Sequence, residues 1–118
     1  MEFSIYFTPR FEKDIHFYKT KRKYKKIDDD VDDVVKQLQN GNLLGDEIQD
    51  LKLSEDESTY KVRIVNTSIN VGKSKGFRMI YYVVKNECEI YLLTIYSKTD
   101  KEDISNKEII RLILEYCR

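Results

Sequence analysis

A chain of 118 residues, 41% hydrophobic, 36% charged and 12% aromatic, suits one domain: it is too short for a second core and too apolar for a disordered polymer. No apolar run reaches the roughly 18 to 20 residues that cross a bilayer, and Met1 to Arg10 lack the basic start and cleavage site of a secretory leader. A cytoplasmic protein with no membrane partner is expected, and its formal net charge of zero conceals a marked segregation of charge along the chain.

Residues 3 to 7 are aromatic and β-branched, as in a strand. Thr8 is placed to accept from the free amides of a following helix, and Pro9 suits its first position, where a missing N–H is harmless. Phe11, Ile15 and Tyr18 recur at helical spacing, and the helix fades in the basic stretch Lys19 to Lys26. Ile27, Val31, Val34, Val35 and Leu38 form the stripe of a second helix, with Asp28 to Asp30 at the positive end of its dipole. Asn40 and Gly41 stop it. Residues 42 to 59 read as a surface connection pinned by Leu43, Leu44, Ile48 and Leu51.

Three strands are expected next, over Tyr60 to Asn66, Gly76 to Val84 and Cys88 to Tyr96, the last two joined by a hairpin turn at Lys85 to Glu87. Ser105 and Glu108 have the form of a capping box before Ile109, Leu112, Ile113 and Tyr116, the stripe of a final helix. The order β-α-α-β-β-β-α implies an α+β fold, an antiparallel sheet packed against helices in one domain over residues 1–118.

Residues 1 to 27 carry 8 basic and 3 acidic side chains, 28 to 59 carry 2 and 11, 60 to 98 carry 7 and 2, and 99 to 118 carry 4 and 5. A neutral protein with a separate cationic segment presents a local positive field to a polyanion. Within that segment Lys61, Arg63, Lys73, Lys75 and Arg78 fall on two strands and the loop between them. Gly72 and Gly76 give that loop freedom to approach a ligand closely. Tyr96 and Lys98 end the next strand beside the same sheet end. Lysines that keep an exposed edge from pairing are the structural alternative. Cys88 and Cys117 lack the spacing and histidine company of a zinc site, so reduced thiols, no metal and no cofactor are expected.

Tyr60-Lys-Val-Arg63, Gly72-Lys-Ser-Lys-Gly-Phe-Arg-Met-Ile-Tyr-Tyr82 and Ile90-Tyr-Leu-Leu-Thr-Ile-Tyr-Ser-Lys98 together resemble the RelE/ParE superfamily of toxins from bacterial toxin-antitoxin modules, and most closely its HigB-like branch. Gly45-Asp-Glu-Ile48 and Lys101-Glu-Asp-Ile104 share the likeness, which spans nearly the whole chain. The resemblance implies a ribosome-dependent endoribonuclease. It would cleave mRNA without a metal, by attack of a ribose 2′-hydroxyl on its own 3′-phosphodiester, and a cognate helix-turn-helix antitoxin would hold it inactive. Such chemistry needs cations for charge gathering on phosphorus, a base and an acid.

By matching position, Lys61, Arg63 and Arg78 are the expected cations of the site. Tyr96 or Lys98 would be the acid or orient the base, and Lys73 and Lys75 would bind RNA. A lysine among Lys61, Lys73 and Lys75, pressed by positive neighbours, is the candidate base. The tyrosine that the RelE branch carries near its C-terminus has no counterpart, because Ile104 falls there. A gyrase inhibitor of the ParE kind and an inactive antitoxin-binding partner are the alternatives, since a shared fold does not decide function.

Overall fold

The computed structural model describes residues 2–118 as an α+β domain with a five-stranded mixed sheet and three helices. The elements in chain order are β1 (Ser4–Phe7), α1 (Pro9–Thr20), α2 (Ile27–Gln39), β2 (Asp46–Glu47), β3 (Glu57–Ile64), β4 (Phe77–Val84), β5 (Glu89–Ser97) and α3 (Asn106–Tyr116). No helix among the described residues is long and apolar enough to cross a membrane.

Side-chain caps form at the starts of α1 and α3. Thr8 Oγ1 accepts from the Phe11 amide at 3.2 Å and donates to the Leu92 carbonyl at 2.7 Å, so one hydroxyl caps α1 and ties it to β5. Ser105 Oγ accepts from the Glu108 amide at 3.1 Å, but the Glu108 carboxylate turns to Arg111 and Arg10, so this half of the capping box stands alone.

The sheet order is β1-β5-β4-β3-β2. The expected meander β3-β4-β5 is present and antiparallel. The fully antiparallel sheet is not: β1 runs parallel to β5, with Ser4 opposite Glu89 and Phe7 opposite Leu92. The 42–59 connection also contains a strand that sequence reading missed. Asp46 and Glu47 pair with Lys61 and Tyr60, where Gly45 (φ +96°) brings the chain against the Lys61 carbonyl more closely than any side chain would allow. Past Lys61 the outer edge of β3 has no strand neighbour among the described residues.

Strand parity divides the core in two. Val62, Ile64, Phe77, Met79, Tyr81, Val83 and Ile95 face α1 and α2, where they meet Phe11, Tyr18, Ile27, Val31 and Leu38. Ile80, Tyr82, Leu93 and Tyr96 face α3 and meet Ile109, Leu112 and Ile113. The connection wraps the β3 edge and contributes to both layers, Leu43 and Leu44 to the first and Ile48 and Leu51 to the second. The Tyr81 hydroxyl donates to the Leu44 carbonyl and fixes the crossing.

Glu57, at the start of β3, accepts from the Tyr82 hydroxyl at 2.6 Å and the Ser54 hydroxyl at 2.9 Å, and pairs with Arg118 beyond α3. Burial alone would raise its pKa, but these donors together outweigh burial and hold it below the ordinary carboxyl value. A depressed folded-state pKa gives stability that is present above the unfolded-state value of about 4.3 and is lost as pH falls through the folded-state value. The thermal midpoint is therefore expected to drop below about pH 4.3, and less steeply in Glu57→Gln. Equal slopes in the two proteins would remove Glu57 from the acid transition.

Candidate functional site

The cationic segment gathers where β3 and β5 end and β4 begins, beside the 65–76 loop. Arg63 lies directly opposite Arg78, and Arg78 directly opposite Tyr96, so the three form one row across adjacent strands. Directly opposed strand residues have Cβ atoms about 4.5 to 5.5 Å apart and share a face. Lys61, two residues before Arg63, is on that face too. It is the α3 face of the sheet, beyond the first turn of α3.

The four side chains differ in freedom. Arg63 is exposed, and Lys61 and Tyr96 are progressively more covered. Arg78 is 6% exposed, and its guanidinium donates to loop carbonyls: Nη1 to Lys73 at 2.9 Å and Phe77 at 3.2 Å, and Nη2 to Ser74 at 3.1 Å. Burial, then the Arg63 charge, push its pKa down against the opposing pull of Tyr96, yet a guanidinium stays ionised at any physiological pH. Arg78 therefore organises the loop and adds fixed positive charge beneath it, while Arg63 is the arginine with its fork open to a ligand.

The loop is anchored at its other end as well. Asp30 of α2 accepts from the Thr67 amide at 2.9 Å and the Thr67 hydroxyl at 2.8 Å, and Asn66 and Val71 bridge across the base. Lys73 and Lys75 project from it, exposed. The two glycines serve different ends. A Cβ on Gly76 would collide with the Ile64 carbonyl and come within 3.1 Å of the Asn66 amide, so this glycine is needed for packing. A Cβ on Gly72 would meet nothing within 4 Å.

Burial, followed by the proximity of Asp103, pushes the Tyr96 phenol up to about 12 against the opposing effect of Arg78, so it is protonated at neutral pH. Its hydroxyl faces Asp103 Oδ1 at 3.5 Å, and the Lys61 ammonium lies 3.2 Å from the same oxygen. Asp103, on the 98–105 segment before α3, is a site residue that sequence reading missed. Lys98 is only adjacent to the site. Its amide donates to the Gly76 carbonyl at 2.9 Å and its ammonium to the Glu102 carbonyl at 3.0 Å, so it closes the sheet end and steadies the segment.

Two grooves flank the cluster's side of the molecule and its opposite side. One, of about 730 Å³, follows the open β3 edge between Asp30, Asp33 and Gln37 of α2 and a wall of Lys61, Arg63 and Lys73. The other, of about 390 Å³, lies between α1 and α2 on a floor of Phe7, Phe11, Ile15, Val31 and Val35, rimmed by Glu12, Asp28, Asp29 and Asp32. The carboxylate rim of the second suits a cation, whereas the sheet-end cluster presents Lys61, Arg63, Lys73 and Lys75 to an anion. No family model matches the chain, and no curated protein matches it.

Proposed function

We propose that this chain is the toxin of a type II toxin-antitoxin module and a ribosome-dependent mRNA endoribonuclease, in keeping with its resemblance to the HigB-like branch of the RelE/ParE superfamily. The observation that carries the reading is the Arg63, Arg78 and Tyr96 row, with Lys61 on the same face. Arg63 and Lys61 of β3 share that face with Arg78 of β4, so the field of the buried arginine adds to theirs where a phosphodiester would lie.

In this reading Arg63 grips the scissile phosphate through two parallel N–H groups, and Lys61 adds a second positive charge. Arg78 is a positioning residue that holds Lys73 and Ser74 in place, with Lys73 and Lys75 meeting the RNA backbone on either side of the break. The 2′-oxygen attacks phosphorus and the P–O5′ bond breaks, leaving a 2′,3′-cyclic phosphate and a 5′-hydroxyl. Tyr96, protonated at neutral pH, donates to the departing 5′-oxygen and is reprotonated by solvent.

Lys61 has a carboxylate within ion-pair distance, and in this reading it serves as a cation rather than as the base. The 2′-hydroxyl proton then passes to Lys73 or Lys75, to solvent, or to a group that the ribosome supplies. A site strong in cations and weak in bases gains most from a scaffold that fixes RNA in line, which supports ribosome dependence.

Mapping mRNA 5′ ends on translating ribosomes after induction, with DNA breaks scored in the same cells, tests the reading. Codon-spaced cuts are expected. DNA breaks with intact mRNA would mean a gyrase poison, and neither signal an inactive binding partner.

The antitoxin partner belongs to the same proposal. The groove between α1 and α2 offers an apolar floor and a rim of four carboxylates to a basic amphipathic segment of such a protein. It lies on the helical layer opposite the α3 face that carries the cations. Charge reversal by Glu12→Lys with Asp29→Lys is expected to weaken the toxin-antitoxin complex at least tenfold while cleavage persists. Unchanged affinity would place the antitoxin elsewhere.

A further inference from the structure

Three donors converge on a single oxygen in the site. Asp103 Oδ1 accepts from the Ile104 amide at 2.8 Å, the Lys61 ammonium at 3.2 Å and the Tyr96 hydroxyl at 3.5 Å. An amide, an ammonium and a phenol aimed at one point form a seat for an anionic oxygen, and here the chain's own carboxylate fills it.

The segment that delivers this carboxylate is secured at several points. Arg22 pairs with Asp100 at 2.8 Å, the Lys101 ammonium lies over the Tyr96 ring at 5.7 Å from its centre, and Lys98 donates to the Glu102 carbonyl. Asp103 itself is open to solvent, with 64% of its side chain exposed, so nothing sterically bars its exchange for another anion. Burial, the largest single influence on its pKa, would raise it. The Ile104 amide, Lys61 and Tyr96 together overcome that and keep the carboxyl below its ordinary range, so the occupant is charged at neutral pH.

We infer that Asp103 is a resident stand-in for a phosphate oxygen, and that phosphate binds this site by exchange, taking Lys61 and Tyr96 from the Asp103 carboxylate. The inference rests on reading the cluster as a phosphate site. It goes beyond that reading in assigning Asp103 as the residue that sets affinity. While the carboxylate is in place it repels an incoming phosphate and occupies two of its donors. The site is thereby biased toward RNA whose position is already enforced, and against free polyanions.

The test is titration of the full chain with inorganic phosphate, followed by NMR signals of the Tyr96 ring and the Lys61 ammonium-bearing methylene. Asp103→Asn preserves an acceptor for the Ile104 amide, and Asp103→Ala serves as a second, smaller replacement. Both are expected to bind phosphate about fivefold more tightly at low salt, the value of one unit charge removed from about 4 Å in water. The gain should shrink at high salt and vanish when Lys61→Met is combined with either. Unchanged or weaker binding in both variants would overturn the exchange and make Asp103 a support for Lys61. Tighter phosphate binding by the variants, in a protein that makes no mRNA cuts, would sink the nuclease and leave the exchange standing. Codon-spaced cuts with no gain in binding would do the reverse.

Discussion

Arg63→Ala is expected to reduce ribosome-dependent mRNA cleavage by about 100-fold to 1000-fold, the usual loss when a preorganised charge donor to a transition state is removed. Its thermal midpoint should stay within about 2 °C of the parent, because exposed side chains away from special contacts rarely shift stability by more than about 0.5 kcal/mol. Arg78→Ala should abolish cleavage too, but by a different route that a second readout exposes. The side chain is almost fully buried and donates to the carbonyls of Lys73, Ser74 and Phe77. Its loss should therefore free the 72–75 turn, giving faster amide exchange and protease nicking there, while Arg63→Ala leaves the loop protected. Arg78→Lys should not rescue, since an ammonium is a point charge without the planar fork that reaches two carbonyls in parallel. Near-parent cleavage by Arg63→Ala would remove it from the site, and equal loop protection in the two alanine variants would refute the division of labour between the arginines.

Gly76→Ala is expected to have the largest effect on stability. The added methyl would fall well inside contact distance of the Ile64 carbonyl at the point where β3 and β4 are bound together, and backbone atoms on both sides leave it no room to turn away. Relief requires the strands to separate, at about 3 kcal/mol or more. For a domain of this size that is a fall of about 10 °C or more in the thermal midpoint. Gly72→Ala, facing open space, should change stability by no more than about 0.5 kcal/mol. Paired calorimetric scans check both, and similar midpoints would show that the loop closes by some other packing.

How much of this was legible in the sequence follows from the range of each interaction. Thr8 with Pro9, and Ser105 with its following stripe, announce their helices because capping is settled within one turn. Alternation in the run from Tyr60 to Ile64 already puts Lys61 and Arg63 on one face. Whether Arg78 falls opposite Arg63 depends on the register of a hairpin with a long loop, set by the Asn66 and Val71 bridge and by Gly76 against Ile64. No local period encodes that. The parallel union of β1 with β5 joins Ser4 to Glu89, a separation that leaves no trace in either segment. The β2 strand is two acidic residues of poor strand propensity, and only the close approach at Gly45 makes it one.

Asp103 escaped notice for a related reason. In sequence it is one of several charges in a polar stretch, and its importance arises only where the chain turns into α3 and brings a carboxylate onto Lys61 and Tyr96.

Because β1 sits at the sheet margin with β5 as its neighbour, the strand has no place to dock until Glu89–Ser97 has been synthesised. Contacts so distant along the polymer make for slow closure. A nascent chain thus lacks the assembled row of Arg63, Arg78 and Tyr96 until β5 has left the ribosome. The first strand of the chain is thereby among the last pieces of the sheet to settle.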